Sequence, residues 1–342
     1  MNGNTAGTDW NDLFVRTSLN ETSPTGRVGG FSSPDIIPWG TQPTNPSRFA
    51  TDESYRQYES SVGFLSGQTN YIYVRAKNSS ATTEAVGLAY LALTDPAVVL
   101  WPGGNKWTFI KTSGGFDGSA LGPIGPGAIA VTDDPFAYVP KDSGHRCLVT
   151  WLSTKSHPVK NPPPEITTAS ALVTFLKDNP NYAHHNIDIA PNTTGANSFP
   201  APFSTGTEGS TWMCGLKVRN CKGFTISFSC PDPLPDGTYI NFLPTTVLQN
   251  DELRYMFGPF DVAVNWNINV NCTYQTNNLQ PEDFSVEFIT ESVVNRYDDA
   301  ALMAFATPVT ADFGLDMTTI TALGLRSVTV GSLGVMKGAN PA

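Results

Sequence analysis

Charged side chains are scarce in this sequence of 342 residues: Asp, Glu, Lys and Arg together make up 15%. Long solvent-exposed helices need more Glu, Lys and Ala, so this composition argues against a mainly helical protein. Acidic residues outnumber basic ones, 30 against 20, which gives a formal net charge of -10. Because a surface of that sign repels phosphate groups, neither nucleic acid nor an anionic membrane is an expected partner.

The sequence also lacks a long apolar run. No stretch approaches the roughly 18 apolar residues that a membrane-spanning helix needs, so no transmembrane segment is expected. The N-terminal stretch MNGNTAGTDWNDLF has neither the basic nor the apolar region of a Sec signal. We therefore expect an intracellular protein, a protein whose signal was removed, or one that is released or displayed at a surface as part of an assembly. The starting Met1 favours the first or the third of these.

Cysteine occurs five times, an odd number that does not suit a disulfide framework in a chain of this size. Cys214, Cys221 and Cys230 lie close together in the sequence, but their spacing matches no zinc-binding pattern and no CxxC occurs. We expect buried strand thiols instead. The loop carboxylates follow no calcium-binding pattern either, so neither a metal nor any other cofactor is predicted.

Histidine is rarer still, with four residues. The adjacent His184 and His185 would point to opposite faces of a strand, so they would not readily share a metal ion. The sequence contains no GxSxG nucleophile motif and no glycine-rich phosphate-binding motif. We therefore predict that the protein is not an enzyme. A hydrolase whose site forms only in the fold, around His145 or His184, is the less favoured alternative.

Glycine and proline, by contrast, are plentiful at 30 and 27 residues, which is typical of many short strands joined by turns. The clearest strand is Asn70–Asn78 (NYIYVRAKN), where apolar side chains alternate with aromatic and basic ones. After a turn, the stretch 84–93 alternates again, with Val86, Leu88 and Tyr90 on one face. The pattern predicts an antiparallel hairpin, buried on one side, within an Ig-like sandwich.

Three phrases in this order carry a family resemblance: SPDI (33–36), NYIYVRAKN (70–78) and GHRCLVT (144–150). Together with NPNYAHHNI (179–187), they resemble a bacterial Ig-like domain of the CARDB (cell-adhesion-related) type over about residues 10–190. The resemblance implies a β-sandwich that acts as a spacer, an assembly module or a binding module. It brings no shared catalytic residues with it.

Strand signals resume in the second half of the chain. Alternation in Thr211–Val218, Gly223–Cys230 and Phe260–Val270 predicts strands, and the last of these is interpreted as one continuous strand. The short stretch Leu172–Lys177 is either a helix or a strand, and Asn295–Phe305 is the best helix candidate. The prediction is therefore an all-β fold of two β-sandwich domains in tandem, Ig-like or jelly-roll-like.

Domain boundaries follow from composition. The stretch 191–209 is rich in Pro, Gly and Thr, as inter-domain linkers are. We therefore predict a first domain at 1–192 with an extended N-terminal segment, a linker at 193–210, and a second domain at 211–342.

The C-terminal stretch 318–335 is apolar, contains one charge, and is rich in Thr and Val, which favour strands. Such a strand can pair within its own sheet or add to the edge of a neighbouring copy's sheet. Pairing within the chain is favoured, because an exposed strand risks aggregation. The residues proposed for assembly through this strand are Ile320, Leu323, Leu325, Val328 and Val330.

Aromatic residues are frequent in the first half, and on a polar scaffold they suit contact with a sugar or a protein. The candidate contacts are Trp39, Tyr71, Tyr73, Trp101 and Trp107. The favoured alternative is that most of them fill the sandwich core.

These observations predict a non-enzymatic structural or binding protein. It would be a subunit of a surface or extracellular assembly, such as an appendage, fibre or particle, or an adhesin-like module. Its expected partners are other protein subunits, in a homo-oligomer, with a glycan or a host-surface protein as further candidates. The alternative is a secreted effector or toxin component that recognises a host surface.

Overall fold

The computed structural model describes residues 10–19, 21–25, 27, 33–56, 64–94, 101–102, 106–141, 144–159, 163–167, 169–190, 198–205, 210–264, 266–279, 284–294, 307–308 and 326–337. These residues form an all-β protein with four sheets, stacked as two β-sandwiches. No helix among them is long and apolar enough to cross a membrane. The predicted all-β class is confirmed.

In the part of the chain that the structure describes, the first sandwich is built from short and medium strands with three short helices. In chain order the strands are β1 (Leu13–Phe14), β2 (Ile36–Gly40), β3 (Phe64–Leu65), β4 (Asn70–Asn78), β5 (Ala85–Thr94), β6 (Thr108–Ile110), β7 (Gly118–Ile124), β8 (Ile129–Val131), β9 (Phe136–Tyr138), β10 (Gly144–Thr154) and β11 (Tyr182–Ala190). A 3-10 helix (Pro46–Ala50) and α1 (Asp52–Tyr55) follow β2, and α2 (Ala169–Asp178) precedes β11.

Strand β4 is the axis of sheet 1. It pairs with β1 and β2 on one side and with β8 and β9 on the other. Its apolar side chains Ile72, Val74 and Ala76 face the core of the sandwich, as the alternation predicts. The opposite face is not exposed, however, because the segment 46–56 covers it, and Tyr73 and Arg75 are fully buried. The prediction of burial on one side only was therefore wrong.

Sheet 2 contains β3, β11, β10 and β5 in that order, and β6 and β7 both pair with β5. The predicted hairpin of β4 and β5 was also wrong, since these strands lie in different sheets and the turn at 79–84 crosses between them. The core face of β5 consists of Ala89, Leu91 and Leu93, rather than the predicted Val86 and Leu88. Alternation identifies two faces but does not say which one is covered.

The second sandwich has strands that are mostly longer. They are β12 (Ser198–Ser204), β13 (Ser210–Arg219), β14 (Thr225–Pro233), β15 (Tyr239–Thr246), β16 (Leu253–Val262), β17 (Asn267–Gln275), β18 (Phe284–Val294), β19 (Thr307–Pro308) and β20 (Arg326–Lys337). Sheet 3 has the order β12-β17-β14-β15, and sheet 4 has the order β16-β13-β18-β20-β19.

Two sequence interpretations change here. The stretch 260–270 is not one strand: β16 ends at Val262, the chain turns at Ala263–Val264, and β17 begins in the other sheet. Val264 is accordingly 54% exposed. The stretch predicted as a linker contains β12, which pairs with β17 along its length. The domain boundaries as such stay a prediction, and the helix candidate Asn295–Phe305 lies outside the described residues.

The two sandwiches share an apolar cluster. It runs from the outer face of sheet 2, through Trp101, Trp151 and helix α2, into the core between sheets 3 and 4. The ambiguous stretch Leu172–Lys177 belongs to α2 and is therefore helical, with Leu172 and Leu176 fully buried. An apolar i, i+4 pair on one helix face explains why this short segment docks against sheet 2.

Candidate functional site

The aromatic residues predicted as surface contacts have different environments. Tyr73, Trp101 and Trp107 are buried, so they do not form an exposed contact surface. Trp101 packs edge-on against Trp107 with ring centroids 6.2 Å apart, and it belongs to the cluster that joins the sandwiches. For these three residues the structure matches the alternative interpretation, in which aromatic side chains fill the core.

Trp39 and Tyr71 are half-buried, and the structure brings them together because a β-bulge places Trp39 beside the Gly40–Tyr71 pair. The Trp39 ring already contacts two neighbouring side chains. The Arg48 guanidinium carbon lies 4.5 Å from its centroid, and Phe49 packs edge-on at 5.0 Å. A ligand would have to displace Arg48 to stack on this ring.

The C-terminal strand pairs within the chain. Strand β20 is antiparallel to β18 from Arg326 to Lys337, with one irregularity near Thr329. Val328 and Val330 lie in this strand, whereas Ile320, Leu323 and Leu325 lie outside the described residues. The proposed role of these residues in assembly stays a prediction.

All five cysteines are buried, and none forms a disulfide bond. Burial raises the pKa of the Cys221 thiol to about 12, and it also raises the pKa of Cys214. Both thiols therefore stay protonated at neutral pH and are poor metal ligands and nucleophiles. Within the described ranges, no group of three or more His, Cys, Asp or Glu side chains could hold a metal ion.

The histidine side chains that the structure describes do not form a shared site. His184 is buried beside Trp101, whose indole N–H lies 3.4 Å from its Nδ1. His185 points the other way, with Nδ1 2.7 Å from the carbonyl oxygen of Ser33, and burial lowers its pKa. The side chain of His145 is outside what the structure describes.

One histidine contact was missed by sequence reasoning. His157 Nδ1 lies 2.7 Å from Asp12 Oδ2, and the Trp10 ring stacks on the imidazole with centroids 3.9 Å apart. Asp12 also accepts hydrogen bonds from Thr154 Oγ1 and the Leu13 N–H. These contacts fasten the start of β1 to the turn after β10. The residues are far apart in the sequence, so no local motif indicates that they are in contact.

A buried ionic network was also missed. Arg16 Nη2 and Arg75 Nε lie 2.6 and 2.8 Å from Asp35 Oδ1, and all three side chains are almost fully buried. Burial raises the pKa of Asp35, but the two guanidinium groups outweigh it and hold this pKa below its usual range. The network joins the N-terminal segment, the SPDI phrase and β4, so it is structural rather than a site for a ligand. The sequence feature that indicates this network is Arg75, a charged residue between the apolar Val74 and Ala76 of β4.

A distinct exposed surface lies on the outer face of sheet 2, and we call it the apolar strip: Val86, Leu88, Tyr90 and Phe109. Val86, Leu88 and Phe109 are 60%, 42% and 49% exposed. Tyr90 is half-buried and stacks on Trp151 at 5.6 Å, and Phe109 packs edge-on against the same indole at 6.0 Å. The strip is therefore continuous with the apolar cluster that joins the sandwiches.

The strip has a rigid foundation. A Cβ on Gly118 would lie 3.0 Å from the Tyr90 ring, so the absence of a side chain there lets this ring lie flat on β7. The loop after β6 presents Phe116, which is 67% exposed. Asp134 holds this loop by accepting hydrogen bonds from Ser113 Oγ and from the Gly114 N–H at 2.9 Å. A surface fixed in this way loses little conformational entropy when it binds a partner.

No protein family and no curated protein sequence matches this chain. Solved structures found by comparison include the C-terminal domain of the AgI/II polypeptide BspA of Streptococcus agalactiae, at 10% identity and TM-score 0.20, covering 68% of this chain and 91% of that one.

Two others are adhesive proteins. One is the CupB6 tip adhesin from Pseudomonas aeruginosa, at 9% identity and TM-score 0.18, covering 79% of this chain and 90% of that one. The other is CfaE, the adhesive subunit of CFA/I fimbria of enterotoxigenic Escherichia coli, at 8% identity and TM-score 0.16, covering 96% and 93%. TM-scores this low carry no argument about fold or function, and the CARDB resemblance is not shown by these comparisons.

Proposed function

We propose that this protein is a non-enzymatic binding protein, a subunit of an assembly or an adhesin-like module, and that copies of the chain contact one another through the apolar strip. The observation that carries the proposal is the exposure of Val86, Leu88 and Phe109 along one sheet face, where Tyr90 lies between Leu88 and the Ala92–Phe109 pair. Contiguous exposed apolar surface on a folded protein marks interaction sites more often than scattered single residues do.

The physical driving force is the removal of this surface from water. Complete burial of an aliphatic or aromatic side chain yields about 1.5–3 kcal/mol relative to full exposure, and these three side chains, which are about half exposed, yield correspondingly less. Tyr90 beside them is of a residue type that is enriched at the hot spots of protein interfaces, where surrounding contacts exclude water. An interface between identical copies fits a chain of net charge -10 only if the contact itself avoids charge, and the strip does.

Light scattering coupled to size-exclusion chromatography tests the proposal over a concentration series. We expect the mass of the native chain to rise with concentration. Val86→Lys places a charge in the strip and should keep the chain monomeric. Val264→Lys is the matched control, because Val264 is similarly exposed, at 54%, on a turn outside the strip. A native chain that is monomeric throughout, or Val86→Lys and Val264→Lys variants that behave alike, would refute contact through the strip.

A further inference from the structure

The outer face of sheet 3 is almost free of charge. Its strands β12, β14, β15 and β17 contain a single charged residue, Asp232, near the end of β14. In sheet 4, by contrast, each of β13, β16, β18 and β20 contains two charged residues. Exposed sheet faces normally carry Lys and Glu for solubility, so an uncharged one needs a physical reason.

Amide and hydroxyl side chains occupy this face on β14 and β17 and at Asn241 of β15, and we call these positions the amide face; Pro200 of β12 and Leu243 of β15, which is 68% exposed, border it. The core takes the alternate positions, including Ile226, Phe228, Ile268 and Val270. The outward residues in register across the strands are Asn271–Ser229–Asn241, Thr273–Ser227 and Gln275–Thr225, and Asn269 continues the row along β17.

The geometry of the pattern follows from the sheet. Neighbouring positions lie about 5 Å apart across the strands and about 7 Å apart along each strand. The side chains of Asn241, Asn269 and Asn271 are exposed and make no hydrogen bond to any other described residue. Their donors and acceptors are therefore available to a ligand in a spacing that paired strands keep fixed.

The side-chain chemistry of the amide face favours one class of ligand. An amide both donates and accepts hydrogen bonds, as a sugar hydroxyl does. The face has no cation to attract an acidic ligand, and the chain's net charge of -10 repels one. The face is also an open sheet surface rather than a cleft, and Tyr239 at its margin is 55% exposed, with an apolar ring available for stacking. An extended, uncharged, polyhydroxylated chain satisfies each of these conditions.

We propose that the outer face of sheet 3 binds a neutral polysaccharide. The inference deepens the proposed function and rests on its binding role, but it does not depend on contact through the apolar strip. Individual neutral hydrogen bonds are weak in water, so affinity comes from many of them along an extended ligand.

Affinity electrophoresis of the native full-length chain tests the inference in gels that contain amylopectin, galactomannan or yeast mannan, with polygalacturonate as the acidic counterpart. We expect retardation by at least one neutral polymer, unchanged between about 50 and about 500 mM salt, because neutral contacts are not screened. Polygalacturonate should not retard the chain. If no neutral polymer does so, or if retardation occurs only with polygalacturonate and is lost at high salt, the inference is overturned.

Variants then assign the binding to the face. Asn269→Asp and Asn271→Asp keep the side-chain shape and introduce a charge without a partner, so each should weaken binding about tenfold. Gln42→Glu makes the same chemical change at an exposed position in the first sandwich and should have no effect. Equal binding by the native chain and the Asn variants would place the ligand elsewhere. Val86→Lys should not alter retardation, so failure of the strip contact and failure of the amide face are told apart.

Discussion

The apolar strip and the amide face are both outer surfaces of β-sandwiches, yet they are built for opposite kinds of contact. The strip exposes side chains that leave water favourably and need little directional precision. The amide face exposes groups that gain almost nothing by leaving water unless each finds a matched partner. The two faces differ in what packs beside them. The strip is the uncovered end of a surface that α2 and Trp101 otherwise bury, whereas nothing described packs on the amide face.

The two sandwiches also differ in the groups that they bury. In the first sandwich, the Arg16–Asp35–Arg75 network is buried on the outer face of sheet 1, the sheet opposite the one that carries the strip. Below the amide face, the core is apolar and aromatic, as in the stacked pair Phe228 and Phe242 at 5.0 Å. The strongest test of this difference is Asp35→Ala, which leaves two buried guanidinium groups without their carboxylate. We expect a loss of about 3–5 kcal/mol in the free energy of unfolding, measured by urea denaturation.

A control for this variant is Asp251→Ala, which removes an exposed loop carboxylate in the second sandwich. Surface changes of this kind alter stability by less than about 0.5 kcal/mol. If Asp35→Ala were equally mild, the network would not support the first sandwich.

Acid should act on the same network. The pKa of Asp35 is lower in the folded state than in the unfolded chain. Its contribution to stability is therefore complete above the usual carboxyl range and is lost as the pH falls through the folded-state value. Urea denaturation of the native chain and of Asp35→Asn at neutral pH and at acid pH should show a smaller pH dependence in the variant. Identical pH dependence would contradict this role of Asp35.

A smaller effect is expected at the loop that presents Phe116. Asp134→Ala removes the acceptor for Ser113 Oγ and the Gly114 N–H, which should cost about 1 kcal/mol of stability. Loss of loop order should also weaken self-association without any change in the apolar surface. Asp133→Ala, at an adjacent exposed carboxylate, is the control. Undiminished association of Asp134→Ala would show that the loop does not contribute to the contact.

Part of this architecture is readable from the sequence, for identifiable reasons. The two faces of β4 follow from strict alternation in NYIYVRAKN, and the amide positions of β17 follow from alternating Asn residues. Strand partners do not follow, because alternation is the same whether β4 turns back onto its own sheet or crosses to the other one. The turn at Ala263–Val264 could not be predicted for a similar reason. Val264 is exposed in the turn, but as an apolar residue it continues the alternation of apolar residues from β16 into β17.

The apolar strip and the buried network could not be located from sequence alone. Val86 and Leu88 look like core residues by type, and their exposure depends on where distant α2 and the second sandwich lie. The buried network is hidden because Arg and Asp are usually exposed, and its three members become neighbours only after the sheet has formed. In both cases the burial of a side chain depends on which other elements pack over it, and this is a property of the whole fold rather than of a local sequence pattern.

The smallest effects are expected from exchanging the chemistry of the two surfaces. Leu88→Asn gives the strip an amide, and Asn269→Leu gives the amide face an apolar side chain. Both positions are exposed, so stability should change by no more than about 0.5 kcal/mol in either variant. Their binding should separate: Leu88→Asn should weaken self-association and leave polysaccharide retardation intact, and Asn269→Leu should do the reverse. Paired light scattering and affinity electrophoresis measure both properties on the same samples. If either variant altered both properties equally, the two surfaces would be parts of one contact, because independent sites respond only to changes in their own chemistry.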